Sequence, residues 1–341
     1  MTHRSDLPRY LRPCFWLGVL ILALLLFWAF EAWAAPGGRA VGFQHLRMDD
    51  PAGPPLEIGL WYPADAPERT VRLGLDSQTV APDAAVAGRR LPLVILSHGN
   101  GGWYGGHADT AIALARAGFV VAAPTHAGDN FADQSRATDM EGRVRQLVRA
   151  LDWTLTRWEG RDRLDPRRVG AFGFSAGGFT VLTAAGGEPD LGRFAGHCAR
   201  HPDFYDCALA RTRPPAKPPF AWAHDRRIWA VAVAAPALGF SFEGDGLKAL
   251  RMPVQLWRAE RDAVLPSPFY VEPVAAALPR KPELHVVEGA GHFDFLQPCA
   301  PGLAAANPQI CASAPGFDRA TFHEQFNAAV VGFFRRALRA R

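Results

Sequence analysis

One serine in this chain sits where a nucleophile would need to sit. Ser175 is the centre of Gly173-Phe-Ser-Ala-Gly177, at the end of the apolar run 169–174. That run reads as a buried parallel strand. Residues 176–185, rich in alanine and glycine, suit a helix packed closely on a sheet. A Gly-x-Ser-x-Gly pattern between strand and helix is a nucleophile elbow. Its glycines occupy positions where side chains would collide, and its serine is lifted above the sheet beside a helix N-terminus. A glycine-rich packing turn with an incidental serine would carry the same five letters, so the partners decide between the two.

A serine hydroxyl is a weak nucleophile. It needs a base for its proton, an acid to orient that base, and donors for the oxyanion that develops on a carbonyl. In sheets of this type the chain order is serine, acid, histidine. His292, in Gly289-Ala-Gly-His-Phe-Asp294, follows a strand-like segment in a glycine-rich turn and is the candidate base. His197, His201 and His224 fall in an irregular stretch, His285 inside a strand and His323 in the last helix. Asp262 lies just beyond another strand-like segment and is the candidate acid, with Glu260 the near rival and Asp245 a more distant one. The backbone amide of Ala176 and that of Asn100, in His98-Gly-Asn-Gly-Gly102, are the expected oxyanion donors. The same glycine turn could hold a phosphate, but no Gly-Lys-Ser/Thr follows it. Trp103, Tyr104 and His126 are candidate pocket residues, against the alternatives of core packing for the first two and a turn cap for His126. His98 is expected to shape the oxyanion turn.

These residues must be positioned by a sheet. Residues 91–97, 119–124, 169–174, 228–235, 253–257 and 284–287 read as strands, and 56–63, which alternates and ends in proline, as an outer strand. Helices are expected at 108–117, 138–157, 176–185, 269–278 and 318–340, and a loop at 70–90. Strands alternating with helices imply a mostly parallel central sheet with helices on both faces, and active residues beyond the strands' carboxyl ends. Two segments break the rhythm. Residues 186–227, with Arg213-Pro-Pro-Ala-Lys-Pro-Pro-Phe220, form a lid-like excursion, and 297–316 form a second one.

Bulk properties bound the rest. The chain has 341 residues, 49% of them hydrophobic, and a net charge of +4. That suits one large α/β domain. The arginine-rich end 335–341 reads as the solvated end of the last helix, not as a nucleic-acid patch. Arg4, Arg9 and Arg12 precede the apolar stretch 15–30 and then Ala32-Trp-Ala34. This is the layout of a signal peptide, residues 1–34, with the catalytic domain at 35–341. An uncleaved anchor is the alternative, although the stretch falls short of the ~20 residues of a comfortable span. Export to the periplasm or outside the cell is therefore expected, with no stable membrane partner after cleavage. Removing Cys14 with the leader leaves four cysteines, and Cys198–Cys207 with Cys299–Cys311 closes the shortest loops, as in an oxidising compartment. Zinc is the rival for His197-Cys-Ala-Arg-His201, but the glutamate of a zinc-protease helix is missing and no metal is expected.

With these pieces in place the chain, from about residue 41 to the last helix, resembles the α/β-hydrolase superfamily. Leu60-Trp-Tyr-Pro63, Leu96-Ser-His-Gly-Asn100, Ala123-Pro-Thr-His126 and Gly173-Phe-Ser-Ala-Gly177 look like its dienelactone-hydrolase-related group, itself similar to platelet-activating-factor acetylhydrolases and secreted polyester hydrolases. Two departures stand out. Dienelactone hydrolases use a cysteine where this chain has Ser175. The acetylhydrolases take their acid soon after the nucleophile, where this chain has Ala235-Pro-Ala-Leu-Gly239. The resemblance implies an α/β-hydrolase fold and a serine hydrolase acting on a small ester or acyl substrate without a cofactor. A thioesterase or peptidase on the same residues, or a non-catalytic binding protein, are the alternatives.

Overall fold

The computed structural model describes residues 39–339. The expected leader therefore lies outside the described residues, and the chain from Arg39 forms one compact unit.

In chain order the strands and helices are β1 (Ala40–Met48), β2 (Leu56–Ala64), β3 (Arg69–Leu73), β4 (Asp76–Pro82), β5 (Leu91–Ser97), α1 (Ala108–Arg116), β6 (Val120–Pro124), α2 (Met140–Thr156), β7 (Leu164–Phe174), α3 (Ala176–Ala184), α4 (Arg193–Arg200), α5 (Tyr205–Thr212), β8 (Ile228–Ala234), β9 (Val254–Ala259), α6 (Val271–Ala277), β10 (Glu283–Val287), α7 (Pro301–Ala306), α8 (Pro308–Cys311) and α9 (Arg319–Ala337). All ten strands join one sheet in the order β10-β9-β8-β7-β5-β6-β2-β1-β4-β3. The six from β10 to β6 in that order run parallel, while β2 is antiparallel to both β6 and β1.

Alternation along the buried strands builds two cores. On β5, Leu93 and Ile95 face α2 and α3, while Val94 and Leu96 face α1 and α9. β7 and β8 split their residues in the same way. Helix ends follow local chemistry. The Asp139 side chain accepts from the Gly142 N–H (2.8 Å) at the start of α2, and Gly118 takes φ +95° just past α1.

Two expectations are corrected. β2 is not an outer strand, because β1 pairs with it along its whole length, from Leu56↔Met48 to Ala64↔Ala40. Pro63 lacks one donor, and one missing donor does not abolish a ladder. The supposed loop 70–90 holds the β3–β4 hairpin, turning at Gly74 with φ +61°. Its strands are half exposed and carry polar residues between buried ones, so they show no apolar run.

The register aligns the carboxyl ends of the parallel strands. Ser97 pairs with Gly173, Phe174 with Ala234 and Ala234 with Trp257. The turns after β5, β7, β9 and β10 therefore open on one edge of the sheet.

Candidate active site

Ser175 holds a conformation that only its surroundings can enforce. Its φ and ψ are 55° and −121°, strained for a residue with a side chain. The backbone is tied on both sides: its N–H donates to the Ala234 carbonyl (2.9 Å), and its carbonyl accepts from Gly178 (2.8 Å) and Ala237 (3.0 Å). The flanking glycines are obligatory. A Cβ on Gly173 would lie 2.2 Å from the Gly177 oxygen, and one on Gly177 would lie 2.0 Å from the Ser97 oxygen.

Beyond β9 and β10 the chain brings two more side chains to this serine. His292 Nε2 lies 3.0 Å from Ser175 Oγ, and His292 Nδ1 lies 2.8 Å from Asp262 Oδ2. All three residues are buried. The other Asp262 oxygen accepts from the Val264 N–H (3.0 Å) and the Leu265 N–H (2.7 Å), which fixes the plane of the carboxylate. The rivals are elsewhere. Glu260 accepts from the Gly289 N–H (2.8 Å), and Asp245 pairs with Lys248 at 3.0 Å. The His292 ring packs on Phe174, with centroids 4.9 Å apart.

The turn after β5 lies against the elbow, since a Cβ on Gly99 would be 3.3 Å from the Ser175 Cβ. Among the described residues neither the Asn100 N–H nor the Ala176 N–H donates to a protein acceptor, which leaves both available to an oxyanion. The turn rests on a buried polar network. Asp129 accepts from the Gly101 N–H (2.8 Å) and from Asn100 Nδ2 (2.6 Å), and it pairs with Arg143, which also donates to the His98 carbonyl. Burial pushes the Asp129 carboxyl up and the Arg143 guanidinium down, while their ion pair opposes both.

Two histidines complete this scaffold in assignable tautomers. His98 Nε2 accepts from the His126 N–H (3.0 Å), so the proton sits on Nδ1, facing the Gly99 carbonyl (2.7 Å). His126 Nδ1 faces Gln146 Oε1 (3.1 Å), an oxygen that also accepts from the Ala127 N–H, so Nδ1 carries the proton and Nε2 is left to Ser97 Oγ (2.9 Å). Burial, then the Arg143 charge, holds both imidazoles well below the usual range.

The three candidate pocket residues lie in different settings. His126 is fully buried behind the turn and braces it. Tyr104 is stacked on His45 (4.7 Å) and lies near Trp61, and burial pushes its phenol up to about 12. Trp103 is half buried against Gly74 of the β3–β4 turn and meets Phe131 edge-on.

The excursions hold the disulfides Cys198–Cys207 and Cys299–Cys311. His197 stacks on Phe240 (3.8 Å) and His201 on Phe204 (4.6 Å). His197, Asp206 and Cys207 place ligand atoms within 4.8 Å of one another, but the Cys207 sulfur is bonded to Cys198. The Asp129–Arg143 pair and the Asn100–Tyr205 contact are not among the sequence expectations. The available signal is Arg143 and Gln146 on the stripe that continues to Leu147 and Ala150, two polar side chains on a helix face bound for the core.

The structure is similar to that of a ferulic acid esterase from Streptomyces cinnamoneus, with a TM-score of 0.61 and 22% identity, over 90% of this chain and 92% of that one. The chain thus has the α/β-hydrolase fold. The sequence profile of the prolyl oligopeptidase family matches residues 107–212, a stretch with Ser175 but without Asp262 or His292. No curated protein sequence matches the chain.

Proposed function

We propose that this chain is an exported serine hydrolase that cleaves carboxylic esters through an acyl-enzyme. The observation that carries the proposal is the continuous hydrogen-bonded line from Ser175 Oγ through His292 to Asp262. Ser175 Oγ attacks the carbonyl carbon as its proton passes to His292 Nε2, while Asp262 holds the Nδ1 proton and steadies the imidazolium. The tetrahedral oxyanion takes the Asn100 and Ala176 amides. Collapse expels the alcohol, which leaves with the proton from His292. Water, deprotonated by the same nitrogen, then releases the acid and restores Ser175. No step calls for a cofactor.

Export is part of the proposal, supported by the leader-like residues 1–34 and by two disulfides. Among the described residues no helix is long and apolar enough to cross a membrane. The sequence motifs favour a place near the dienelactone-hydrolase-related group, and the esterase neighbour supports ester cleavage. A peptidase is the second reading, favoured by the prolyl oligopeptidase match over 107–212.

Hydrolysis of nitrophenyl esters from acetate to decanoate, beside the matching anilides, tests the proposal. We expect ester turnover that Ser175→Ala lowers by about 10⁴- to 10⁶-fold in kcat. Anilide cleavage exceeding ester cleavage would move the assignment to a peptidase. Unchanged ester turnover in the variant would remove Ser175 from the mechanism.

A further inference from the structure

We infer that Phe131 and Tyr205 form an aromatic wall at the mouth of the Ser175 site, which selects esters carrying a planar aromatic group. The inference rests on the serine-hydrolase proposal above. Phe131 is 69% exposed and Tyr205 44%, uncommon for large apolar side chains in this molecule. Both are tied to the turn that touches Ser175. The Phe131 N–H donates to the Gly102 carbonyl (3.3 Å), and the Tyr205 hydroxyl donates to Asn100 Oδ1.

Neither ring hangs on a slack loop. The turn bearing Phe131 is stitched by Asn130, whose N–H donates to the Asp133 carbonyl (2.8 Å) and whose side-chain oxygen accepts from the Ala132 and Asp133 N–H groups (3.0 Å each). The Phe131 ring stands edge-on to Trp103, with centroids 6.0 Å apart. Tyr205 opens α5 just before two buried anchors. Asp206 accepts from the Tyr270 hydroxyl (2.9 Å), and Cys207 is bonded to Cys198. The fold therefore holds two apolar rings in the open beside the turn that offers the Asn100 amide.

An open wall favours a rigid ligand. A long alkyl chain laid on it would lose rotamer freedom without being enclosed, whereas a planar ring has little to lose and gains ring–ring contact. The same wall gives Tyr205 a second role as a positioning residue, because its hydroxyl holds the Asn100 side chain.

The test uses the full chain and two methyl esters of similar apolar size, methyl 3-phenylpropanoate and methyl octanoate, followed by titration of released acid. Ring–ring contact predicts a preference for the phenyl ester of about two- to tenfold in kcat/KM. Phe131→Ala and Tyr205→Ala should each pull that ratio toward one, chiefly through KM, while Tyr205→Phe keeps most of it because the ring remains. A ratio unmoved in both alanine variants, or a wild-type preference for octanoate, overturns the inference. Labelling of Ser175 by a fluorophosphonate is scored in parallel. Labelling without an aromatic preference defeats the wall and leaves the hydrolase; no labelling of the folded wild type defeats both.

Discussion

The two disulfide-stapled excursions brace opposite halves of the site by different physics. The first, 186–227, meets the glycine turn after β5 through the Tyr205 hydroxyl, at the surface. The second, 297–316, meets the His292 loop through buried charge. Asp294 accepts from the Gly291 N–H (2.8 Å) and from Arg319 Nε (2.9 Å), and Arg319 donates to the Ile310 (2.9 Å) and Ala312 (3.1 Å) carbonyls. One brace is an exposed contact between a hydroxyl and a side-chain amide. The other is a desolvated ion pair whose partners must all be present.

The largest effect should come from cutting the second brace. Arg319→Met leaves the Asp294 carboxylate buried beside Ser313 and Gly291 without its cation, which costs about 3–5 kcal/mol of unfolding free energy. Urea unfolding measures it. A loss below about 1 kcal/mol would show that water reaches Asp294, and the contrast between the braces would fail.

Opening the disulfides should separate the two excursions further. The cysteines stand 9 and 12 residues apart, so loop entropy predicts nearly equal stability losses of roughly 3 kcal/mol for Cys198→Ser/Cys207→Ser and Cys299→Ser/Cys311→Ser. Kinetics should separate them. Loosening the His292 loop should lower kcat by about 10- to 100-fold through misplacement of the base. Freeing the first excursion should mainly raise KM. Indistinguishable kinetics in the two variants would refute a division of labour.

The parts of the molecule legible in its sequence are those that local pattern dictates. The Ser175 elbow needs glycines within two residues on either side, and Asp262 and His292 each follow an apolar run, so all three announce themselves in short windows. The braces do not. Asp129 meets Arg143 from another element, and Asp294 meets Arg319 across 25 residues. Nothing in either window marks the charge as buried rather than solvated. β3 and β4 stay hidden for a related reason: a half-exposed hairpin at the sheet's end needs no apolar run. Tyr104 is ambiguous in sequence because an aromatic beside a glycine turn suits a pocket and a core equally, and its contacts with His45 of β1 and Trp61 of β2 come from distant segments.

The smallest effect concerns the floor that the two halves share. Phe174 lies between the His292 ring (4.9 Å) and the His107 ring (5.4 Å). His107 is fully buried, neither of its ring nitrogens has a protein partner among the described residues, and burial pushes its imidazole down to about 4. In the unfolded chain it titrates near 6.5. Between those values the unfolded state takes a proton that the native state refuses. Stability therefore falls as pH drops below about 6.5, by about 1.4 kcal/mol per unit, until the native state also protonates near 4. His107→Leu removes this slope, so wild type and variant should diverge by about 1.4 kcal/mol between about pH 7.5 and pH 5.5 in urea unfolding. Parallel pH curves would mean that water or a partner reaches His107, and that the floor beneath Phe174 is less closed than its burial implies.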